Sequence, residues 1–256
     1  MVKVKEIIEL IEREIAPITL AADWDAPGLK TGSRETEVSK ILVCLDVTSA
    51  VIAEAVKKGC NMIVSHHPLI FHPLSAVTED TEPALCAAIR EGIAVYAAHT
   101  NLDFAEGGIN DALAQCAGLL SIKKDDTGRH RYGKLSGLVP LEEFAADLKE
   151  RLGVSYLQAI IPKACEQDFL VERVGVSCGA FDRETDWIYA HKIDLLLTGE
   201  IKHAEAVALA EETFITLGAG HYFTEICGVR AFAQRLAAMA LPAEQSEASC
   251  SPFVFL

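Results

Sequence analysis

The chain has 256 residues, 50% of them hydrophobic and 23% charged, enough for one large or two ordinary domains with a substantial core. No apolar stretch approaches the roughly 18–20 residues that span a bilayer. A net charge of −14 argues against nucleic acid or an anionic membrane surface as the main partner.

Residues 1–11 read as an amphipathic helix rather than a signal peptide, because acids and bases interrupt the apolar positions; the cytoplasm is the expected location. A strand follows over 41–45, a helix over 49–58, a strand over 61–65, a helix over 83–91 and a strand over 93–98. After a helix over 111–117 comes a polar, glycine-marked stretch, 123–129, which reads as a domain boundary. The second half alternates again: strands over 171–177, 194–198 and 214–217, helices over 184–191 and 204–212, and a last helix over 226–240. This alternation predicts an α/β fold of two lobes, 1–125 and 126–256, each a helix-flanked sheet with many parallel neighbours. The last helix is expected to pack back on the first lobe.

The lobes also resemble each other. Residues 58–65 line up with 191–198, and 91–103 with 213–225, if 71–82 is an extra surface loop. Under this alignment His99 matches His221 and Asp103 matches Glu225. Strand ends of both lobes would then face one shared cleft.

Chemistry concentrates at those strand ends. The run Ile63-Val64-Ser65-His66-His67-Pro68-Leu69 delivers two imidazoles just as Pro68 stops the strand. His99 to Asp103 follows one apolar run, and His221 to Glu225 follows another. Imidazole and carboxylate together suit zinc, iron, manganese or nickel, and a carboxylate can bridge two metals. His66, His67 and Asp103 with His221 and Glu225 are the candidate ligands, too many for one open tetrahedral site but suited to two divalent ions in the cleft. His99 reads as a ligand, a proton carrier or a residue orienting Asp103, and Glu200 as a second proton carrier. The eight cysteines show no CxxC pair and read as free thiols. His130 and His191 read as surface residues, and Trp24 as packing.

Three motifs resemble the signatures of the Nif-three-like dinuclear metal-centre family, whose members carry the label GTP cyclohydrolase 1 type 2. They are SHHPLIF at 65–71, HTNLD at 99–103 with Gly107-Gly108-Ile109-Asn110-Asp111 after it, and GHYFTE at 220–225. The likeness extends to 22–29, to Asp46-Val47-Thr48, to 198–202 and to Gly228-Val229-Arg230. It implies metal ligands at His66, His67, Asp103, His221 and Glu225, two α/β lobes, and a toroidal homohexamer whose sites face an internal cavity. The label implies opening of the guanine imidazole ring with loss of formate. Three departures stand out: Ala26 where Asn is common, Cys178-Gly179-Ala180-Phe181-Asp182 where a Gly-Ser-Gly-like turn is common, and His203 directly after Lys202. None of them is a predicted ligand.

The expected function is therefore a dinuclear metal-dependent hydrolase acting on a small molecule, a nucleotide or a phosphoester. No P-loop or glycine-rich phosphate fingerprint accompanies the site. The alternatives are a metal chaperone or delivery protein and a metal-stabilised regulatory adaptor. The apolar tail, 251–256, is expected to dock as a short strand or to seal a subunit contact.

Overall fold

The computed structural model describes residues 2–165 and 169–254. The chain runs through α1 (Val4–Glu14), β1 (Gly28–Thr31), β2 (Ile41–Cys44), α2 (Ser49–Lys58), β3 (Met62–Ser65), α3 (Pro83–Arg90), β4 (Ala94–Ala97) and α4 (Thr100–Phe104). It continues with α5 (Ile109–Cys116), β5 (Leu120–Lys124), β6 (Arg131–Pro140), α6 (Leu141–Leu152), β7 (Gln158–Ile160), β8 (Leu170–Ala180) and α7 (Asp186–Ala190). Then come β9 (Leu195–Glu200), α8 (His203–Leu209), β10 (Ile215–Gly218), α9 (His221–Ala238) and β11 (Ala243–Gln245). No described helix is long and apolar enough to cross a membrane.

The chain forms two compact units. One comprises the residues up to Gly108 together with those from Val229 onward; the other is Ile109–Gly228. The division expected at 125/126 therefore moves to 108/109, with a second crossing inside α9.

The first unit is built on a sheet of order β1-β4-β3-β2-β11, parallel except for the β1–β4 pair. Its central strands, ILVC, MIVS and AVYA, are buried at every position, as strands covered on both faces must be. Leu42, Cys44, Ile63 and Val95 point to one face, where Val51, Ile52 and Ala55 of α2 and Ala88 of α3 meet them. Tyr96 faces the other way and its hydroxyl donates to Glu12 of α1 at 3.1 Å. β11 extends the sheet beside β2, which is why the chain after α9 belongs to this unit. Residues 71–82 carry no helix or strand and are exposed almost throughout, consistent with the inserted loop.

The second unit holds a sheet of order β5-β6-β8-β9-β10-β7, with β8, β9 and β10 mutually parallel and the outer pairs antiparallel. Leu113 of α5 and Phe144 and Leu148 of α6 cover one face over Val174, Val176, Leu195 and Leu217. On the other, Trp187 and Ile188 of α7 pack with Leu196, Leu209 and Phe214.

The stretch 123–129 is not a linker but the turn of the β5–β6 hairpin. Asp125 Oδ2 accepts from Thr127 Oγ1 at 2.6 Å, and the amide of Gly128, at φ 77°, donates to the Asp125 carbonyl. α5 belongs here for a similar reason: Arg131, fully buried, donates through Nε to Asp111 Oδ1 at 2.7 Å. Asn110 bridges the Arg129 carbonyl and the Cys178 amide. Of the two roles expected for the tail, the short strand does not form. Residues 251–254 form no strand and Phe253 and Val254 are exposed, while 255–256 lie outside the described residues.

Candidate metal centre

Each unit gathers histidines and carboxylates at the carboxyl ends of its parallel strands, the end where open α/β sheets bind ligands. In the first unit the β2–β3 ladder continues one step beyond the strands. The amides of His66 and His67 donate to the carbonyls of Cys44 and Leu45 at 3.0 and 2.9 Å. Both rings are thus carried on rigid backbone. His66 is buried, His67 half-buried, and their ring centroids lie 5.0 Å apart. His99, at the end of β4, sits 5.4 Å from His66 and 5.8 Å from His67 by ring centroid. One ring nitrogen from each of these three histidines falls within 4.8 Å of the others. Asp103, one turn into α4, places Oδ1 3.4 Å from His66 Nε2.

In the second unit α9 begins at His221, earlier than the expected 226, so His221 and Glu225 stand one turn apart on the same side. His221 Nε2 lies 3.2 Å from Glu225 Oε1. Two glycines allow the end of α9 to settle against the strand ends. A Cβ on Gly199 would lie 2.3 Å from the Gly179 carbonyl, and one on Gly179, itself at φ 66°, would lie 2.5 Å from Glu225 Oε1. The Gly179 amide donates to Thr224 Oγ1 at 3.1 Å and completes the joint.

The four histidines share one orientation. Nδ1 of His66 meets the Ala98 carbonyl at 3.0 Å, that of His67 meets Asp46 Oδ1 at 2.7 Å, and that of His99 meets Asp25 Oδ1 at 2.9 Å. Nδ1 of His221 meets Glu200 Oε2 at 3.3 Å. A carbonyl or carboxylate on Nδ1 selects the tautomer protonated there and leaves Nε2 as the electron-pair donor. These donor sets are chemically those of borderline divalent cations, and the residues present fit a metal.

Asp25 is the most elaborately held of the orienting groups. Its Oδ2 accepts from the amide and the hydroxyl of Thr100 at 3.0 and 2.5 Å. Burial alone would raise its pKa, but the hydrogen bonds from His99 and Thr100 win and hold it at about 2. Trp24 is exposed and meets the edges of His99 and Phe71, so it does not pack in a core.

All of the expected site residues thus lie at strand ends: His66, His67, His99 and Asp103 in the first unit, Glu200, His221 and Glu225 in the second. His99 Nδ1 hydrogen-bonds to Asp25, and the Asp103 amide donates to the His99 carbonyl at 3.2 Å. Sequence reasoning assigned no role to Asp25 or Asp46, although both stand in stretches already singled out. None of the eight cysteines, all of them among the described residues, forms a disulfide; Cys44, Cys60 and Cys165 are buried and Cys250 is exposed.

The sequence profile of the Duf34/NIF3 (NGG1p interacting factor 3) family matches residues 2–252. A Clostridium acetobutylicum protein named GTP cyclohydrolase 1 type 2 homolog is 32% identical over 240 residues, covering 91% of this chain and 89% of its own. The solved structure of reduced HcgD from Methanocaldococcus jannaschii is 33% identical, with a TM-score of 0.79 over 95% of this chain and 96% of its own. A Bacillus cereus protein related to NIF3 superposes with a TM-score of 0.88 over the full length of both chains at 22% identity, a likeness of fold. With histidine-carboxylate groups at the strand ends and a profile match over nearly every residue, the chain belongs to the Duf34/NIF3 family.

Proposed function

We propose that the chain is a metal-dependent hydrolase that takes two divalent cations, with His66, His67 and Asp103 of the first unit and His221 and Glu225 of the second as ligands. One observation carries this reading: four histidines each turn Nδ1 to an oxygen, which selects the tautomer with its electron pair on Nε2.

Bound divalent cations would supply Lewis acidity and bring the pKa of water near neutrality. The chain's own residues do the rest. Asp46 and Asp25 hold His67 and His99 in one tautomer, and Glu200 does the same for His221. His99, with one ring nitrogen within 4.8 Å of one from each of His66 and His67, carries a proton to or from the reacting group. Glu200, the other expected proton carrier, meets His221 Nδ1 and can orient that ring as well as carry a proton. The names of the relatives suggest GTP as substrate, with water opening the guanine imidazole ring and formate leaving; other nucleotides and phosphoesters belong to the same reading.

The test is elemental mass spectrometry on protein purified without chelator, beside Asp103→Ala, followed by assays of formate release from GTP and of phosphoester hydrolysis. About two metals per chain, lost in the variant, with turnover of one substrate class, is the expected result. No metal after anaerobic reconstitution overturns the reading. Labile metal without turnover of any substrate transfers it to metal delivery.

A further inference from the structure

The second unit carries a basic concavity separate from its histidine-carboxylate group. The strand register builds it. Lys123 is the cross-strand partner of Tyr132, Tyr132 of Gly175, and Lys134 of Arg173. Directly paired residues share a face, so Lys123, Tyr132, Lys134 and Arg173 all project from one side of the sheet. The turn after α7 adds His191 and Lys192, and these six residues line a cavity of about 450 Å³. A chain of net charge −14 thus collects four full cations in one hollow.

Neighbouring carboxylates neutralise little of this charge. Lys134 Nζ reaches Glu172 Oε1 at 3.0 Å. Asp194 Oδ2 is engaged by the amides of Glu172 and Arg173 at 3.0 and 2.7 Å, and Asp126 Oδ1 stands 4.0 Å from His191 Nε2. Among the described residues Lys123, Arg173 and Lys192 have no side-chain carboxylate partner. Placing Lys134 directly across from Arg173 is unfavourable for the sheet, since like charges facing each other across a strand pair repel. A ligand that needs the charges resolves the conflict. The wall is aromatic: Tyr132 and His191 stack at 4.3 Å with 16° between their planes, and the buried Nε2 of His191 makes no hydrogen bond among the described residues.

We infer that this concavity binds a polyphosphate group, free or carried on a nucleoside. Arg173 and the lysines supply charge-assisted hydrogen bonds to phosphate oxygens, and His191 Nε2 adds a polar contact. The volume suits one small ligand. The acidity of the rest of the chain disfavours a nucleic-acid polymer, which would have to lie along a negative surface. The site needs no metal and does not depend on the proposed hydrolase.

Binding is read by isothermal titration of tripolyphosphate and of ATP into the full chain in excess chelator, so that no divalent cation can act as the receptor. Wild type, Lys123→Ser/Arg173→Ser, the single exposed changes Lys123→Ser and Lys192→Ser, and the control Lys57→Ser on α2 of the first unit are compared. The expected result is saturable binding that weakens about tenfold or more in the double variant, less in the single ones, and not in the control. ATP tighter than tripolyphosphate identifies the nucleoside-borne group; equal affinity identifies the phosphate chain alone. Absence of binding of either ligand to wild type overturns the inference. So does undiminished binding by Lys123→Ser and Lys192→Ser, which test the site even if the double variant does not fold.

Discussion

Nδ1 of His67 lies 2.7 Å from Oδ1 of Asp46, a residue twenty-one positions earlier in the chain, at the carboxyl end of β2. The pair fixes the His67 ring and its tautomer. Asp46→Ala should therefore weaken metal binding by about 10–100-fold. Its side chain is half exposed, so the melting temperature of the metal-free chain should barely move. Competition against a chromophoric chelator measures the first and calorimetry the second; unchanged affinity would show that His67 needs no orienting partner.

Gly179 gives a second handle on the same chemistry. Its φ of 66° disfavours any side chain, and an added Cβ would fall 2.5 Å from Glu225 Oε1 and 3.4 Å from His221 Nε2. The obstacle is the end of a carboxylate rather than backbone, so the fold survives while the carboxylate is displaced. Gly179→Ala should cost about 1 kcal/mol of stability from the backbone conformation and a larger share of metal affinity. Equal metal content in variant and wild type would argue that Glu225 is not a ligand.

Much of this arrangement is legible in the sequence, for reasons that differ by element. β2, β3 and β4 are apolar runs bounded by polar residues, because strands covered on both faces carry little else. The histidine pair is legible because Pro68 marks where β3 can no longer continue. β6 was invisible. Its RYGKLSGLVP sequence has two glycines and an exposed half, and it follows a turn that reads equally well as a linker. The orienting carboxylates were missed on other grounds: Asp25 meets His99 across seventy-four residues, a distance no local pattern encodes. His130 reads as a surface residue in the sequence, whereas its side chain is 3% exposed, held between Asp125 and Asp182.

Asp25→Asn tests the tautomer argument directly. The Thr100 amide and hydroxyl both donate to Oδ2, so the amide oxygen of an asparagine would take that place and its NH₂ would face His99 Nδ1. The imidazole must then accept at Nδ1 and carry its proton on Nε2. Nitrogen-15 NMR of the metal-free chain should report this reversed tautomer for His99. Turnover, where present, should fall by orders of magnitude with far less change in metal content. An unaltered His99 tautomer would remove Asp25 from its orienting role.

His130 makes the stability of the second unit depend on pH. Its ring lies flat on Trp187 at 4.4 Å, with Nδ1 3.3 Å from Asp125 Oδ2 and Nε2 2.7 Å from Asp182 Oδ2. Burial alone would lower its pKa from 6.5, but the two carboxylates prevail and raise it to about 9. The same contact holds Asp125 well below the usual carboxylate range, burial again opposing and the bonds from His130 and Thr127 prevailing. A raised histidine pKa stabilises fully below pH 6.5, and the contribution is lost as pH climbs through about 9. A lowered aspartate pKa stabilises above the ordinary carboxylate value and is lost as pH falls. The ion pair is therefore strongest from about pH 4 to 6.5. His130→Gln should destabilise the chain by about 2 kcal/mol at pH 6, a figure tempered by the partial exposure of Asp182, and by much less at pH 10. Urea unfolding of wild type and variant across pH 5–10 checks this. A difference that stays constant through pH 9 would mean that His130 is neutral in the fold and contributes by packing on Trp187 alone.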